Sequence, residues 1–195
     1  MYLLAVGSDP FAGEPSPTAS ARKRLPVLGY VMGACCWEKT SMPALRADIV
    51  GYGRDKRLVL VGEIKNKKNT SPIWAAQLRR NILAHSDQLP SSEFFLVATP
   101  DRLYLWKSAG NNLPPDARPI DIDAKQIFSS YLERAGVAPE SASSPAFELA
   151  VAAWLAELAQ SGELRAKLAA VLPALLDSGF LDAIKDGQIA LDEAA

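Results

Sequence analysis

The sequence predicts an α/β fold that ends in a helical appendage, and three observations carry that expectation. Leu58-Val-Leu-Val-Gly-Glu-Ile-Lys65 is nearly continuous in apolar residues, the composition of a strand covered on both faces. Ser71-Pro72 offers an N-cap followed by proline at the first helical position, and Trp74, Leu78 and Ile82 recur behind it at i, i+4 and i+8. From residue 124 onward the chain is rich in Ala and Leu at helical spacing.

Taken in order, residues 7–19 are rich in Gly, Pro and Ser and read as a loop or arm. Ala21 to Trp37 stays open between strand and helix, because Pro26, Gly29 and Gly33 interrupt it. Arg46 to Tyr52 is a β-prone run, Gly53 to Arg57 is a charged turn, and with Leu58–Lys65 they form a hairpin. Asn66–Thr70 is a polar loop, followed by a helix over 72–84. Phe94–Ala98 and Leu103–Trp106 are two more strands, joined by the turn Thr99-Pro-Asp-Arg102. Pro114, Pro115 and Pro119 mark a linker. Helical patterns then cover Ala124–Ala135, Phe147–Ala159 and Glu163–Leu176, with a short last piece around Phe180–Ile184. The division expected is an α/β domain over 1–137, with a poorly defined N-terminal arm, and an acidic helical tail over 138–195.

Composition excludes several classes. With 49% hydrophobic and 22% charged residues, the 195-residue chain is not globally disordered. Cys35 and Cys36 are adjacent and His85 is the sole histidine, so neither a disulfide framework nor a zinc site is indicated, and a reducing, cytoplasmic home is expected. The apolar stretch Val27–Trp37 is too short to span a bilayer, and the start Met1–Val6 lacks a basic flank, so no membrane segment or secretory signal is expected.

Catalytic templates narrow the chemistry further. The sequence contains no G-x-x-x-x-G-K-[ST] loop, no G-x-G-x-x-G and no G-x-S-x-G. His85, at the end of the 72–84 helix, suits a C-terminal capping or solvent role. What remains is carboxylate chemistry beside a lysine. Period-two alternation puts Glu63 and Lys65 on one face of their strand and Ile64 on the other. If the hairpin closes around Asp55 and Lys56, residues whose numbers sum to 111 pair, and Asp48 faces Glu63 with Cβ atoms ~5 Å apart. Such a pair can hold one hard divalent cation through oxygen. The other reading is a salt bridge of Lys65 with Glu63 or Asp48, and spacing alone leaves both open. A second acid-x-Lys, Asp123-Ala124-Lys125, reads as the start of a surface helix.

This arrangement resembles the PD-(D/E)XK nuclease superfamily, typified by restriction endonucleases and their repair and recombination relatives. The matching residues are Asp48, then Glu63-Ile64-Lys65, on a hairpin followed by a helix and a strand. The similarity covers roughly residues 44–107. It implies a restriction endonuclease-like core, a mixed sheet flanked by helices. It implies Mg²⁺ or Mn²⁺ on Asp48, Glu63 and the Ile64 carbonyl, with Lys65 positioning the attacking water and Gln77 matching a glutamine that some branches carry near the site. The activity implied is metal-dependent hydrolysis of DNA phosphodiester bonds. The sequence departs from the family pattern at Ala47, where the motif has proline, and the first 44 residues supply no assigned acidic residue from the family's first helix.

Charge distribution adds partners. Residues 54–80 carry eight basic and two acidic residues, and Lys67, Lys68, Arg79 and Arg80 are candidates to hold DNA phosphates; a solvated charged face is the other reading. Residues 138–195 carry nine acidic and three basic residues. The rival function is a catalytically inactive nuclease fold kept as a binding or assembly module, with the C-terminal helices as the surface for a second copy or a protein partner.

Overall fold

The computed structural model describes residues 47–85, 92–107, 114 and 117–191. The expected loop over 7–19, the open segment 21–37, the cysteine pair and part of the proline linker lie outside the described residues. Among the described residues the order is β1 (Ile49–Tyr52), β2 (Leu58–Ile64), α1 (Pro72–His85), β3 (Phe94–Ala98), β4 (Arg102–Lys107), β5 (Ile120–Asp123), α2 (Lys125–Arg134), α3 (Ser144–Gln160), α4 (Gly162–Val171), α5 (Pro173–Ser178), α6 (Phe180–Ala183) and β6 (Gln188–Leu191). The fold is α/β, with one six-stranded mixed sheet in the order β5-β4-β3-β2-β1-β6. β2 and β3 run parallel, which requires a crossover, and α1 provides it. Every other neighbouring pair is antiparallel.

The apolar run of β2 follows from burial on both faces. One face carries Ile49, Leu60, Ile64, Phe94, Leu96, Leu103 and Leu105 against Phe128 of α2 and Phe147, Val151 and Trp154 of α3. The other carries Val50, Val61, Phe95, Val97, Tyr104 and Trp106 against Ala75 of α1, with Trp74, Leu78 and Ile82 at its margin. Helix starts follow local chemistry. The hydroxyl of Ser71 accepts from Trp74 N, that of Ser143 from Ala146 N and that of Ser161 from Leu164 N. Pro173 divides the helix expected over Glu163–Leu176 into α4 and α5, since proline cannot donate to the preceding turn. Gly179, at φ 79°, closes α5 in the left-handed conformation.

Three expectations need correction. Residues 138–191 are not an appendage: α3 fills the main core, and β6 extends the sheet by pairing with β1. The reason is that β1 and the sheet face below it need cover that the strands before residue 137 do not supply. The linker before α2 holds an edge strand, β5, so Asp123 ends a strand opposite Arg102, and its carboxylate accepts from Lys125 N at 3.2 Å. The hairpin turn does not centre on Asp55 and Lys56. Gly53 N donates to Arg57 O and Lys56 N to Gly53 O, both at 2.9 Å, Lys56 adopts φ 63°, and a bulge shifts the register between Gly51 and Tyr52. Beyond the bulge the pairs Gly51–Leu60, Val50–Val61 and Ile49–Gly62 keep the expected register.

Candidate active site

The start of β1 and the end of β2 meet at one end of the sheet, between β6 and β3. Asp48, just before β1, continues the register that sets Ile49 opposite Gly62. Its Oδ2 accepts a hydrogen bond from Ile64 N at 2.7 Å and one from Lys65 Nζ at 3.1 Å. Lys65 Nζ also lies 2.7 Å from Glu63 Oε2, so one ammonium joins both carboxylates. In a strand, the N–H and C=O of a residue point to the same edge. Ile64 N–H faces Asp48, so the Ile64 carbonyl faces that side as well. Sequence reasoning therefore brought Asp48, Glu63, Ile64 and Lys65 together as the structure does.

Burial divides the roles. The Glu63 side chain is 10% exposed, Asp48 30% and Lys65 40%. Burial pushes the Glu63 carboxyl above its usual range; the Lys65 hydrogen bond opposes that rise and the Asp48 charge adds to it. Burial disfavours the Lys65 ammonium, but the Glu63 hydrogen bond and charge, followed by those of Asp48, outweigh it and raise the pKa. Among the described residues no group of three or more His, Cys, Asp or Glu side chains is arranged to hold a metal. The donor set here is two carboxylates and a strand-edge carbonyl. That all-oxygen set suits Mg²⁺, which commonly takes one or two carboxylates and fills its remaining positions with water and phosphate.

Behind the site, the loop from Asn66 to Thr70 is pinned. Thr70 Oγ1 lies 3.0 Å from the hydroxyl of buried Tyr104 and 3.3 Å from Thr99 Oγ1. Asn69 N donates to Asp101 at 2.8 Å, and Asn66 Nδ2 to Ala142 O at 2.8 Å. Sequence reasoning missed Thr70, Thr99 and Tyr104 as a unit, although the Thr99-Pro-Asp turn and a tyrosine amid apolar β4 residues were the available signals.

The remaining candidates are dispersed. Gln77 is exposed on α1 and has no hydrogen bond to the carboxylates among the described residues. Lys67 and Lys68 are exposed; Lys67 Nζ sits 5.2 Å from the Trp74 ring centroid, and Lys68 Nζ is 3.5 Å from Glu140 O. Arg80 is exposed on α1. Arg79 is the correction: it is 4% exposed and cannot reach a phosphate at the surface. It follows Ala75 by four residues and so shares the helix face turned to the sheet, with its guanidinium 5.8 Å from the Phe95 ring and 5.6 Å from the Trp106 ring.

Fold and site thus define an α/β protein with an acid–lysine–acid cluster at the end of a parallel strand pair. Comparison with protein-family models, curated proteins and solved structures finds no significant match to the chain. No described helix is long and apolar enough to cross a membrane.

Proposed function

We propose that the chain is a divalent-metal-dependent nuclease that hydrolyses DNA phosphodiester bonds on a restriction endonuclease-like core. The observation that supports this reading is the convergence of Asp48 and Glu63 on a single cationic nitrogen beside the Ile64 carbonyl. Asp48, Glu63 and Ile64 would hold Mg²⁺ or Mn²⁺. When bound, such an ion polarises a phosphoryl oxygen and makes its water more acidic. Lys65, the most exposed of the three side chains, then leaves the carboxylates and orients the attacking water with its ammonium. Lys67 and Lys68, in the loop that follows Lys65, and Arg80, on α1, supply positive charge and hold flanking phosphates, which gives affinity without sequence choice. The strand order β1–β2–α1–β3 agrees with the central part of the family order, and β6 occupies the outer place beside β1.

A second reading has its own observation. Lys65 already pairs with both carboxylates, and Leu149, Val171 and Leu176 leave 63%, 68% and 49% of their surface exposed on α3, α4 and α5. On that reading the cluster is a structural ion pair in a binding or assembly module. A cleavage assay on plasmid and single-stranded DNA, with Mg²⁺ or with EDTA, separates the two. Lys65→Ala should lower the metal-dependent rate by about 10²-fold or more. Cleavage that survives EDTA, or that Lys65→Ala leaves intact, rejects the nuclease reading.

A further inference from the structure

Between α1 and the segment leading into β5 runs a groove of about 620 Å³, lined by Ile73, Ala76, Gln77 and Arg80 on one side and Arg118 and Pro119 on the other. We infer that this groove binds single-stranded nucleic acid, with a base against its apolar floor and the flanking phosphates on Arg80 and Arg118. The inference rests on the nucleic-acid reading of the carboxylate site, and it names the form of substrate that site receives.

Three observations carry it. First, the chemistry is mixed in the way an unpaired nucleotide requires. Ile73 is 72% exposed and, with Ala76 and Pro119, gives the groove apolar surface, while Arg80 and Arg118 add two positive charges to its lining. A duplex keeps its base faces stacked inside and would leave that apolar surface wet, whereas a single strand can lay a base on it.

Second, the positive charge has no ion-pair partner among the described residues. α1 contains no acidic residue, and among the described residues neither Arg80 nor Arg118 forms a salt bridge. Arg79, the neighbour of Arg80 on α1, adds a further positive charge, and its buried Nε and Nη1 have no hydrogen-bond partner among the described residues.

Third, the place fits. The groove lies on the α1 face of the sheet, the face on which Glu63 continues the line of Val61. Its far wall, Arg118 and Pro119, leads into β5. The groove begins at Ser71 and Pro72, which open α1 after the loop that follows Lys65, so one strand of nucleic acid running along that loop would join groove to carboxylates.

The test is fluorescence anisotropy with labelled oligothymidylate and a duplex of the same length, in EDTA so that no cleavage intervenes. Wild type should bind the single strand more tightly than the duplex. Arg80→Ala with Arg118→Ala removes two phosphate contacts, each worth about 0.7 in the slope of log K against log salt on single strands. Wild type should therefore lose about 7-fold more affinity than the double variant between about 50 and 200 mM salt. Ile73→Ser should weaken binding at every salt concentration and leave the slope unchanged. All three positions are exposed, and equal melting temperatures confirm that the variants fold. A duplex preference, an unchanged slope in the double variant, or no binding of oligothymidylate overturns the inference. Binding that depends on the arginines in a chain that Mg²⁺ does not activate would uphold the groove and reject the nuclease reading. Cleavage with an unchanged slope would do the reverse.

Discussion

Replacing Glu63 by glutamine isolates the one charge on which the metal reading depends. The amide keeps the shape of a side chain that is 10% exposed but removes half of the carboxylate charge offered to an ion. An ion that binds only the folded state stabilises it by RT ln(1 + [L]/Kd), about 2.7 kcal/mol when the ion is present at ~100 times its Kd. For a chain of this size each kcal/mol shifts the melting temperature by about 2–4 °C, so Mn²⁺ or Mg²⁺ should raise that of wild type by about 5–11 °C. Glu63→Gln should show almost none of this rise. Without metal, the variant loses a Lys65 ion pair but is also relieved of a buried carboxylate whose pKa is raised by burial and by Asp48. A raised carboxyl pKa favours the folded state below the unfolded value of 4.5, and that contribution is lost as pH rises through the folded value. At neutral pH the metal-free variant should therefore match wild type or exceed it. Differential scanning fluorimetry across a metal titration measures both effects. Equal metal shifts in wild type and Glu63→Gln would show that the ion binds elsewhere and would refute the assignment.

Two further perturbations test the surroundings. Lys65→Ala removes the group that opposes the rise of the Glu63 pKa, so stability should fall more steeply than in wild type as pH climbs from 5 to 8, and Mg²⁺ should restore it; parallel pH–stability curves would show that Lys65 does not hold Glu63. Gly187→Ala would place a Cβ 2.1 Å from the Tyr52 carbonyl oxygen and 2.9 Å from that of Ile184, both backbone atoms that cannot swing aside. It should cost about 3 kcal/mol and lower the melting temperature by about 6–12 °C; an unchanged melting temperature would mean that β6 docks on β1 without needing this close approach.

The site was more legible in the sequence than the sheet that carries it. The continuous apolar run of β2 fixes which residues face which layer, and a buried acid two residues before a lysine at its end stands out against that run. The register survived although the turn was misplaced, because the bulge lies on the turn side of Gly51 and leaves the pairs nearest Asp48 untouched. β5 and β6 escaped notice for a physical reason. Both are four-residue edge strands, and Ile-Asp-Ile-Asp and Gln-Ile-Ala-Leu carry too little apolar periodicity to announce themselves. Arg79 was misread because charged residues are expected outside. Its position is set instead by the helix face of Ala75 and by two aromatic rings that accept a guanidinium. Arg118 gave no local signal at all, since its role depends on β5 bringing the preceding segment alongside α1.

The asymmetry of the carboxylate cluster bears on which reading it serves. Glu63 is locked in a buried position, and an ionised carboxylate there requires a cation at all times. Asp48 is fixed by the Ile64 amide as well as by Lys65, so it keeps its orientation when the lysine departs. Lys65, at 40% exposure, has solvent on one side and a long flexible stem, and it can turn outward without unfolding its strand. The two acids are therefore fixed and the cation between them is movable. A purely structural ion pair gains nothing from that arrangement and would be better served by burying the lysine too. An arrangement in which the resident cation can give way to another, and then face the substrate from a neighbouring position, uses each of these differences.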